Sequence, residues 1–264
     1  MENDFVKKVK KVVKKNFNDS FEIYSQFENK YKFFHNLTLN LSNFVKITKD
    51  SKVLDAGCGC GYSMKAIYDN FSKNVYGIDI SEGMIVAGQK LFPNFNFKIG
   101  DVAELDKVYE KNFFDFVLFN LVVFIIPDIN QVFSGTHKVL KNGGKIAFSY
   151  YPEIIDENGN DLFKIAFQRA EFEPPKKQVI SRYEDCLNAL KNSNFINIKE
   201  SYYEILLDIS FIKDFFSIPA QSTSLFPKLP YEVRKKDVEK LFDSIKDFNH
   251  KGKIIWKFAL GEKA

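Results

Sequence analysis

The chain has 264 residues, of which 45% are hydrophobic and 27% are charged, and its formal net charge at pH 7 is +4. This length allows one large α/β domain with insertions, while no apolar run approaches the ~20 residues that a membrane span needs and the N-terminus lacks the apolar core of a secretory signal. We therefore expect a soluble, cytoplasmic protein, and its three cysteines are too few for a disulfide framework or a four-ligand zinc site, so we expect no metal.

The excess of positive charge lies at the N-terminus. Residues 1–15 contain six lysines against Glu2 and Asp4, and the rest of the chain is charge-balanced. Apolar residues recur between these lysines at helical spacing, namely Phe5, Val9, Val12 and Phe17, which predicts a basic amphipathic helix. Two interpretations stay open: a packed helix with a solvated lysine face, or docking to an anionic membrane or an acidic carrier protein. The balanced body gives no indication of a nucleic-acid partner.

A glycine-rich turn follows the first predicted strand. Residues 53–62 read VLDAGCGCGY, and glycines at alternate positions let a ligand lie against bare main chain. A dinucleotide fingerprint would need glycine at position 62, where this chain has Tyr62, and Asp55 would repel a pyrophosphate. The turn therefore disfavours an NAD-linked oxidoreductase and favours a ligand that carries an ammonium or sulfonium group.

Short apolar runs then alternate with longer amphipathic stretches, which is typical of parallel strands with helices on both faces. The predicted strands are residues 53–56, 75–78, 95–99, 114–119, 145–150, 196–207 and 254–260, with a helix over 182–192. This order predicts an α/β fold with a mostly parallel sheet, preceded by helices in residues 1–50.

Two segments interrupt the alternation. Residues 152–180 are rich in acidic residues, Asn, Gly and Pro, and residues 210–249 read as a helix, a proline-rich break and a second helix. Because ligands bind at the carboxyl edge of open α/β sheets, we interpret both segments as helical lid insertions; packing without substrate contact is the alternative. The expected organisation is N-terminal helices in residues 1–50 and a domain over residues 51–264 that contains both insertions.

The turn resembles the first motif of the class I S-adenosylmethionine (SAM) dependent methyltransferases, D-x-G-x-G-x-G, because Asp55, Gly57, Gly59 and Gly61 occupy its four marked positions. The resemblance implies a Rossmann-like sheet of seven strands with the last pair antiparallel, SAM as cofactor and S-adenosylhomocysteine as product. The N-terminal segment, with its aromatic residues, resembles the helices that close over the cofactor in ubiquinone/menaquinone-type and malonyl carrier protein methyltransferases.

The resemblance also implies a cofactor site at the strand ends. Asp79, 20 positions after Gly59, is placed to accept hydrogen bonds from both ribose hydroxyls. Asp101 fits the family's third motif, where the acid accepts from the adenine amino group, and Asn120 would lie beside the methionine moiety. The expected cofactor residues are Asp55, Gly57, Cys58, Gly59, Asp79, Ile80, Met84, Asp101, Val102 and Asn120.

The acceptor side of the site is less defined by the sequence. Many small-molecule members of the family carry His where this chain has Phe124 and Ile125, so no general base is evident and the catalytic residue is unknown. We therefore expect an acceptor that needs little deprotonation. Aromatic residues could shape its pocket and contact the sulfonium by cation-π attraction; the expected acceptor residues are Tyr24, Tyr31, His35, Phe124, Tyr150 and Tyr151.

Together these features predict a methyltransferase that moves a methyl group from SAM to a small-molecule or carrier-bound acceptor by in-line displacement. A SAM-binding sensor or scaffold subunit without transfer activity is the alternative, supported by the missing histidine.

Overall fold

A computed structural model of the chain describes residues 4–176 and 179–264. Residues 1–3 of the predicted basic helix and residues 177–178 of the predicted first insertion lie outside the described residues. None of the described helices is long and apolar enough to cross a bilayer.

Three helices precede a sheet whose strands alternate with further helices. The N-terminal helices are α1 (Asp4–Asn18), α2 (Phe21–Tyr31) and α3 (Phe33–Val45). The alternating part comprises β1 (Val53–Ala56), α4 (Tyr62–Asn70), β2 (Val75–Asp79), α5 (Glu82–Leu91), β3 (Asn96–Ile99), α6 (Leu105–Val108), β4 (Phe114–Asn120), α7 (Ile129–Val139) and β5 (Leu140–Ser149). The C-terminal part comprises β6 (Glu153–Asp156), α8 (Leu162–Arg169), α9 (Tyr183–Asn192), β7 (Phe195–Leu206), α10 (Ile209–Ser217), α11 (Pro219–Leu225), α12 (Tyr231–Asp243) and β8 (Gly252–Lys263).

The sheet confirms the predicted α/β class. Its order is β3-β2-β1-β4-β5-β8, where β1 to β5 are parallel and β8 runs antiparallel to both β5 and β7. β1 pairs with β2 on one side and β4 on the other, so the chain reverses its direction across the sheet at β1. Ligands bind at such a switch point in open α/β sheets, outside the carboxyl ends of the strands.

The described sheet has eight strands instead of the expected seven. The additional strand, β6, lies in the segment that we interpreted as the first lid insertion. β5 pairs Ser149 with Phe258, and β6 pairs Glu153 with Ile255 along the same edge of β8. β6 therefore continues the line of β5 after a short break, and the two strands occupy one position across the sheet. The described sheet is thus seven positions wide, as expected.

One hydrophobic core includes the N-terminal helices α2 and α3 together with the sheet. Leu37, Leu41 and Val45 of α3 are fully buried, and Phe33 packs on Trp256 of β8 with ring centroids 4.8 Å apart. β1 is buried at each of its four positions, as expected for a central parallel strand. Helix α3 is thus part of the main core and positions the residues that follow β1.

Helix α1 is amphipathic, but its protein-facing side differs from the predicted one. Phe5 and Val12 are 57% and 45% exposed, whereas Val9, Val13 and Phe17 face the protein. At the end of the helix, Asn18 Oδ1 accepts hydrogen bonds from the Ser81 hydroxyl (2.7 Å) and the Gly83 N–H (3.1 Å). These bonds attach the end of α1 to the beginning of α5.

Candidate functional site

A pocket lies at the carboxyl ends of β1 to β4. Its floor comes from the turns after these strands, and α1 covers it from the opposite side. Gln221 of α11 closes one flank. The lining includes eight of the ten expected cofactor residues: Gly57, Gly59, Asp79, Ile80, Met84, Asp101, Val102 and Asn120.

Asp79 is buried and held by main-chain donors. Its Oδ2 accepts from the Gly59 N–H and its Oδ1 from the Ser81 N–H, both at 2.8 Å. Burial raises the pKa of Asp79, and the hydrogen bonds from Ser81, Gly59 and Ile80 oppose that shift. The carboxylate is therefore fixed across the glycine turn, and it keeps some hydrogen-bond accepting capacity for a ligand.

Asp55 lies at the end of β1 beneath the turn and does not line the pocket. Its side chain is 1% exposed, and its Oδ2 has no hydrogen-bond partner among the described residues. Burial, with a contribution from Asp79, raises the pKa of Asp55 to about 8. A buried oxygen without a partner is costly, which suits a nearby cationic ligand.

Asp101 meets a residue that the sequence did not suggest. Its Oδ1 accepts from the Ala103 N–H at 2.8 Å, and its Oδ2 lies 2.7 Å from Lys10 Nζ of α1. The side chains of Lys10 and Asp101 are 21% and 22% exposed, so the ion pair is partly buried. It connects the covering helix directly to the carboxyl end of β3.

Asn120 ends β4 inside a polar network. Its Nδ2 donates to Thr38 Oγ1 (2.8 Å) and Ser63 Oγ (3.2 Å), and its Oδ1 accepts from Ser149 Oγ (2.5 Å). The amide thus joins α3, α4 and β5 and keeps one oxygen lone pair unused by these bonds. The next residue, Leu121, has a left-handed backbone (φ 57°), which is uncommon outside glycine and recurs at functional sites.

The glycine turn provides a surface of bare main chain at Gly59. A Cβ built on Gly59 would meet only the Tyr24 hydroxyl, 4.0 Å away, on the pocket side. A Cβ on Gly57 would come within 2.5 Å of Val122 Cγ2. Gly59 therefore leaves room for a ligand, whereas Gly57 allows the turn after β4 to pack closely.

Cys58, which we expected at the cofactor, points away from the pocket. A Cβ added at Gly77 of β2 would lie 2.7 Å from its sulfur, so the side chain packs under the sheet. Its thiol is buried, and burial raises the pKa of Cys58 well above its ordinary value. The structure therefore places Cys58 as a small core residue.

Tyr24 is the only residue of the expected acceptor set that lines this pocket. Its ring stacks on Phe34 with centroids 4.2 Å apart and an interplanar angle of 9°. Burial raises the pKa of Tyr24, and the nearby Cys60, Glu28, Asp55 and Asp79 add to the shift. Tyr24 thus offers a neutral aromatic wall opposite Gly59.

The other expected acceptor residues lie outside this pocket. The Tyr31 hydroxyl donates to Asp214 at 2.8 Å and joins α2 to α10. His35 lies half-buried on α3, where burial lowers its pKa. Both side chains are directed away from the pocket because the pocket-facing side of these helices is taken by Tyr24 and Phe34.

A second group of expected acceptor residues belongs to the core. The Tyr150 hydroxyl donates to the Ser181 carbonyl at 2.7 Å, and the Tyr151 hydroxyl lies 3.0 Å from Ser224 Oγ. Phe124 packs edge-on against both tyrosine rings. These contacts tie the end of β5 to the C-terminal helices.

Most side chains that cover the pocket were not predicted from the sequence. Val13, Lys10 and Gln221 line the pocket, together with Val122, Ile125 and Ile126 after β4. The i, i+4, i+8 series of Val9, Val13 and Phe17 was the signal that could have identified the inner face of α1. Of the two expected lids, only the second reaches the pocket, through Gln221; no described residue of 152–180 lines it.

No group of three or more potential metal ligands occurs within residues 4–176 and 179–264.

Comparison with known proteins gives a family match. A family model described as a methyltransferase domain covers residues 47–205, more than half of the chain. Phosphoethanolamine N-methyltransferase 2 of Caenorhabditis elegans is 27% identical over 164 residues, which are 59% of this chain and 36% of that protein. Demethylmenaquinone methyltransferase of Bacillus mycoides is 33% identical over 103 residues, which are 36% of this chain and 43% of that protein.

A solved structure shares the fold. Phosphoethanolamine N-methyltransferase 2 of Haemonchus contortus, in complex with phosphomonomethylethanolamine and S-adenosylhomocysteine, is similar with a TM-score of 0.56 at 19% identity. The similarity covers 86% of this chain and 52% of that one. This chain thus spans about a third of the length of the Caenorhabditis elegans protein and about half of the Haemonchus contortus chain.

Proposed function

The chain belongs to the methyltransferase domain family, and we propose that it transfers a methyl group from SAM to a small-molecule acceptor, leaving S-adenosylhomocysteine. The observation that carries this proposal is the set of acids at three consecutive strand ends. Asp79 and Asp101 line one pocket, and Asp55 is buried close enough to Asp79 for the charge of Asp79 to raise the pKa of Asp55. Such crowding costs stability unless a polar or cationic ligand uses it.

Two features, one beneath the pocket and one on its surface, fit this cofactor. The partnerless Oδ2 of Asp55 suits a ligand with ammonium and sulfonium charges. The open surface over Gly59, which a Cβ would fill, suits a ligand laid along the main chain.

The residues that would hold SAM keep hydrogen-bonding capacity for it. Asp79 would accept from the ribose hydroxyls through its free lone pairs, and Asp101 would accept from the adenine amino group. Ile80, Met84 and Val102 would form the apolar walls around the base. Asn120 would mainly fix the end of β4 through its bonds to three neighbouring side chains.

When bound, SAM supplies a methyl group that its sulfonium already activates. The chain's own part is to orient the acceptor in line with that group and to exclude water. Tyr24 would contribute a π-face for the sulfonium, and the inner face of α1 would cover the reacting centre. No histidine is found among the described lining residues, which supports an acceptor that needs no strong general base.

The charges of the pocket indicate the acceptor class. Lys10 is the only cation among the described lining residues, and Asp101 engages it. Asp79 and Asp128 add negative charge, while most of the remaining lining is apolar. We therefore infer a neutral or positively charged apolar acceptor, because a phosphorylated one would meet repulsion and no free cation.

Binding and transfer can be tested separately. Calorimetry with S-adenosylhomocysteine should give a saturable one-site isotherm; no binding at millimolar ligand would overturn the proposal. SAM labelled in its methyl group should then transfer label into an apolar small-molecule extract and not into phosphoethanolamine. Binding without transfer to any extract would place the chain among SAM-binding proteins that have no transferase activity.

Other expectations from the sequence remain proposals. They are a cytoplasmic location, a carrier-bound acceptor as an alternative to a free one, the absence of a nucleic-acid partner, and a cover formed by residues 1–50 over a domain of residues 51–264.

A further inference from the structure

The outer face of α1 combines unpaired lysines with exposed apolar side chains. Lys7, Lys8, Lys11, Lys14 and Lys15 make no ion pair with any residue in the described ranges. At 100° per residue, Phe5, Lys8, Val12 and Lys15 fall on one stripe of the helix. Phe5 and Val12 are also among the most exposed large apolar residues of the described chain.

We propose that this outer face docks on an anionic membrane surface. Lysines around a phenylalanine on one helix face match the chemistry of a bilayer with acidic headgroups, because the ammonium groups stay at the phosphates while the ring enters the interface. The complementarity is local, since the excess positive charge of the chain lies in residues 1–15. Within α1 the one acidic residue is Asp4, at the first position of the helix.

The opposite, inner face of α1 lines the pocket, so docking of the helix would affect access to the pocket. Val9, Val13 and Phe17 line the pocket, so α1 alone separates the pocket from the surface that carries the lysines. Docking would place the rim of the pocket at the membrane. An apolar acceptor could then enter the pocket from the lipid. This entry rests on the proposed function, whereas the docking of α1 does not depend on it.

An acidic carrier protein would also attract the lysines. The exposed Phe5 and Val12 favour a membrane, because apolar side chains gain most from a hydrocarbon boundary and less from a rim of carboxylates. A single test can separate the two partners.

Vesicle flotation with the full chain tests the docking. The protein should float with vesicles in which a third of the phosphatidylcholine is replaced by phosphatidylglycerol, and not with phosphatidylcholine alone. Binding should weaken at high salt, because the screening length falls from about 10 Å at 0.1 M to about 3 Å at 1 M. No flotation with the anionic vesicles overturns the proposal, and so does binding only to a purified acidic carrier protein.

Charge reversal on the helix should abolish the binding. Lys8→Glu/Lys11→Glu/Lys15→Glu should lower vesicle partitioning by roughly a hundredfold or more, since each lysine near an anionic surface contributes about fivefold. The matched control, Lys49→Glu/Lys191→Glu/Lys199→Glu, changes the net charge equally at exposed lysines outside α1. An equal loss of vesicle partitioning in both variants would show that only the net charge matters and would overturn the proposal. Both variants should bind S-adenosylhomocysteine normally, which separates this test from that of the proposed function.

The depth of Phe5 can be measured directly. In a Phe5→Trp variant, brominated lipids in the anionic vesicles should quench the new fluorescence. The wild-type protein is the control, because its single tryptophan, Trp256, is fully buried. Absence of quenching in the variant would exclude insertion of this face.

Discussion

Asp55 and Asp79 are neighbouring buried acids with different hydrogen-bonding. Both oxygens of Asp79 accept from main-chain N–H groups, whereas Asp55 keeps an oxygen without a described partner. Hydrogen bonds to the ionised form favour ionisation, and burial without them opposes it. We therefore expect Asp79 to act as a fixed acceptor and Asp55 to change its protonation when a cation binds.

Asp79→Ala should weaken S-adenosylhomocysteine binding by about 1.5 to 3 kcal/mol, the loss of hydrogen bonds to a charged group. Titration calorimetry measures the change. Asp128→Ala is the control, because this acid also lines the pocket but is exposed at its rim, and its loss should matter less. Equal losses in the two variants would assign the effect to pocket charge alone.

Two motif glycines should respond differently to an added methyl group. Gly59→Ala should reduce ligand affinity because its Cβ would enter the pocket; it meets no close protein atom, so the loss of stability should be limited to the cost of the left-handed backbone (φ 52°), about 1 to 2 kcal/mol. Gly57→Ala should destabilise the protein by about 1 to 3 kcal/mol because its Cβ would overlap Val122. Thermal melts with and without S-adenosylhomocysteine distinguish the two; the reverse pattern would mean that Gly59 has only a structural role.

At the scale of elements, α1 behaves as a cover attached at two places. Asn18 accepts two hydrogen bonds from the beginning of α5, and Lys10 pairs with Asp101 after β3. No residue of α1 is fully buried, so little apolar surface holds the helix down. The Lys10–Asp101 pair is therefore expected to control opening more than overall stability.

Lys10→Met should speed both association and dissociation of S-adenosylhomocysteine. Removing this partly buried ion pair detaches the middle of the cover, so it should change both rates more than it changes the equilibrium affinity, which is their ratio. Stopped-flow fluorescence measures both rates. Lys11→Met serves as the control because Lys11 is exposed and makes no ion pair among the described residues; unchanged rates in Lys10→Met would remove the pair from the gating of the pocket.

At the scale of the whole molecule, two buried carboxyl groups link folding to pH. Glu28 accepts from the main-chain N–H groups of Phe34 and His35 at the beginning of α3, yet burial raises its pKa to about 7. Burial raises the pKa of Asp55 to about 8. Both groups bind their proton more tightly in the folded protein than in the unfolded chain, so their contribution to stability is complete at low pH and is lost as pH rises.

The free energy of unfolding without ligand should therefore fall between about pH 4 and pH 8, by at most about 1.4 kcal/mol per pH unit for each group. Urea unfolding at several pH values measures this slope. Glu28→Gln and Asp55→Asn should each make the unfolding free energy depend less on pH. For Glu28→Gln the difference from the wild-type slope should disappear above about pH 7. A slope that is unchanged in both variants would place the linkage on other groups.

The sequence by itself determined the α/β class, seven of the eight described strands and the glycine turn. It also determined which acids stand at the carboxyl ends of β1, β2 and β3, because these features depend on local periodicity and on the φ/ψ range of glycine. Parallel strands bring their carboxyl ends together whatever their detailed packing. For this reason eight expected cofactor residues line one pocket.

Only the tertiary structure decided which side chains cover that pocket. The sequence does not determine which tyrosine lines the pocket and which packs in the core, because an aromatic side chain suits either place. This applies to Tyr24, Tyr31, Tyr150 and Tyr151. Contacts of high sequence separation made the choice: Lys10 with Asp101, Tyr31 with Asp214 and Tyr151 with Ser224. Such pairs depend on how helices pack over the sheet, which local patterns do not encode.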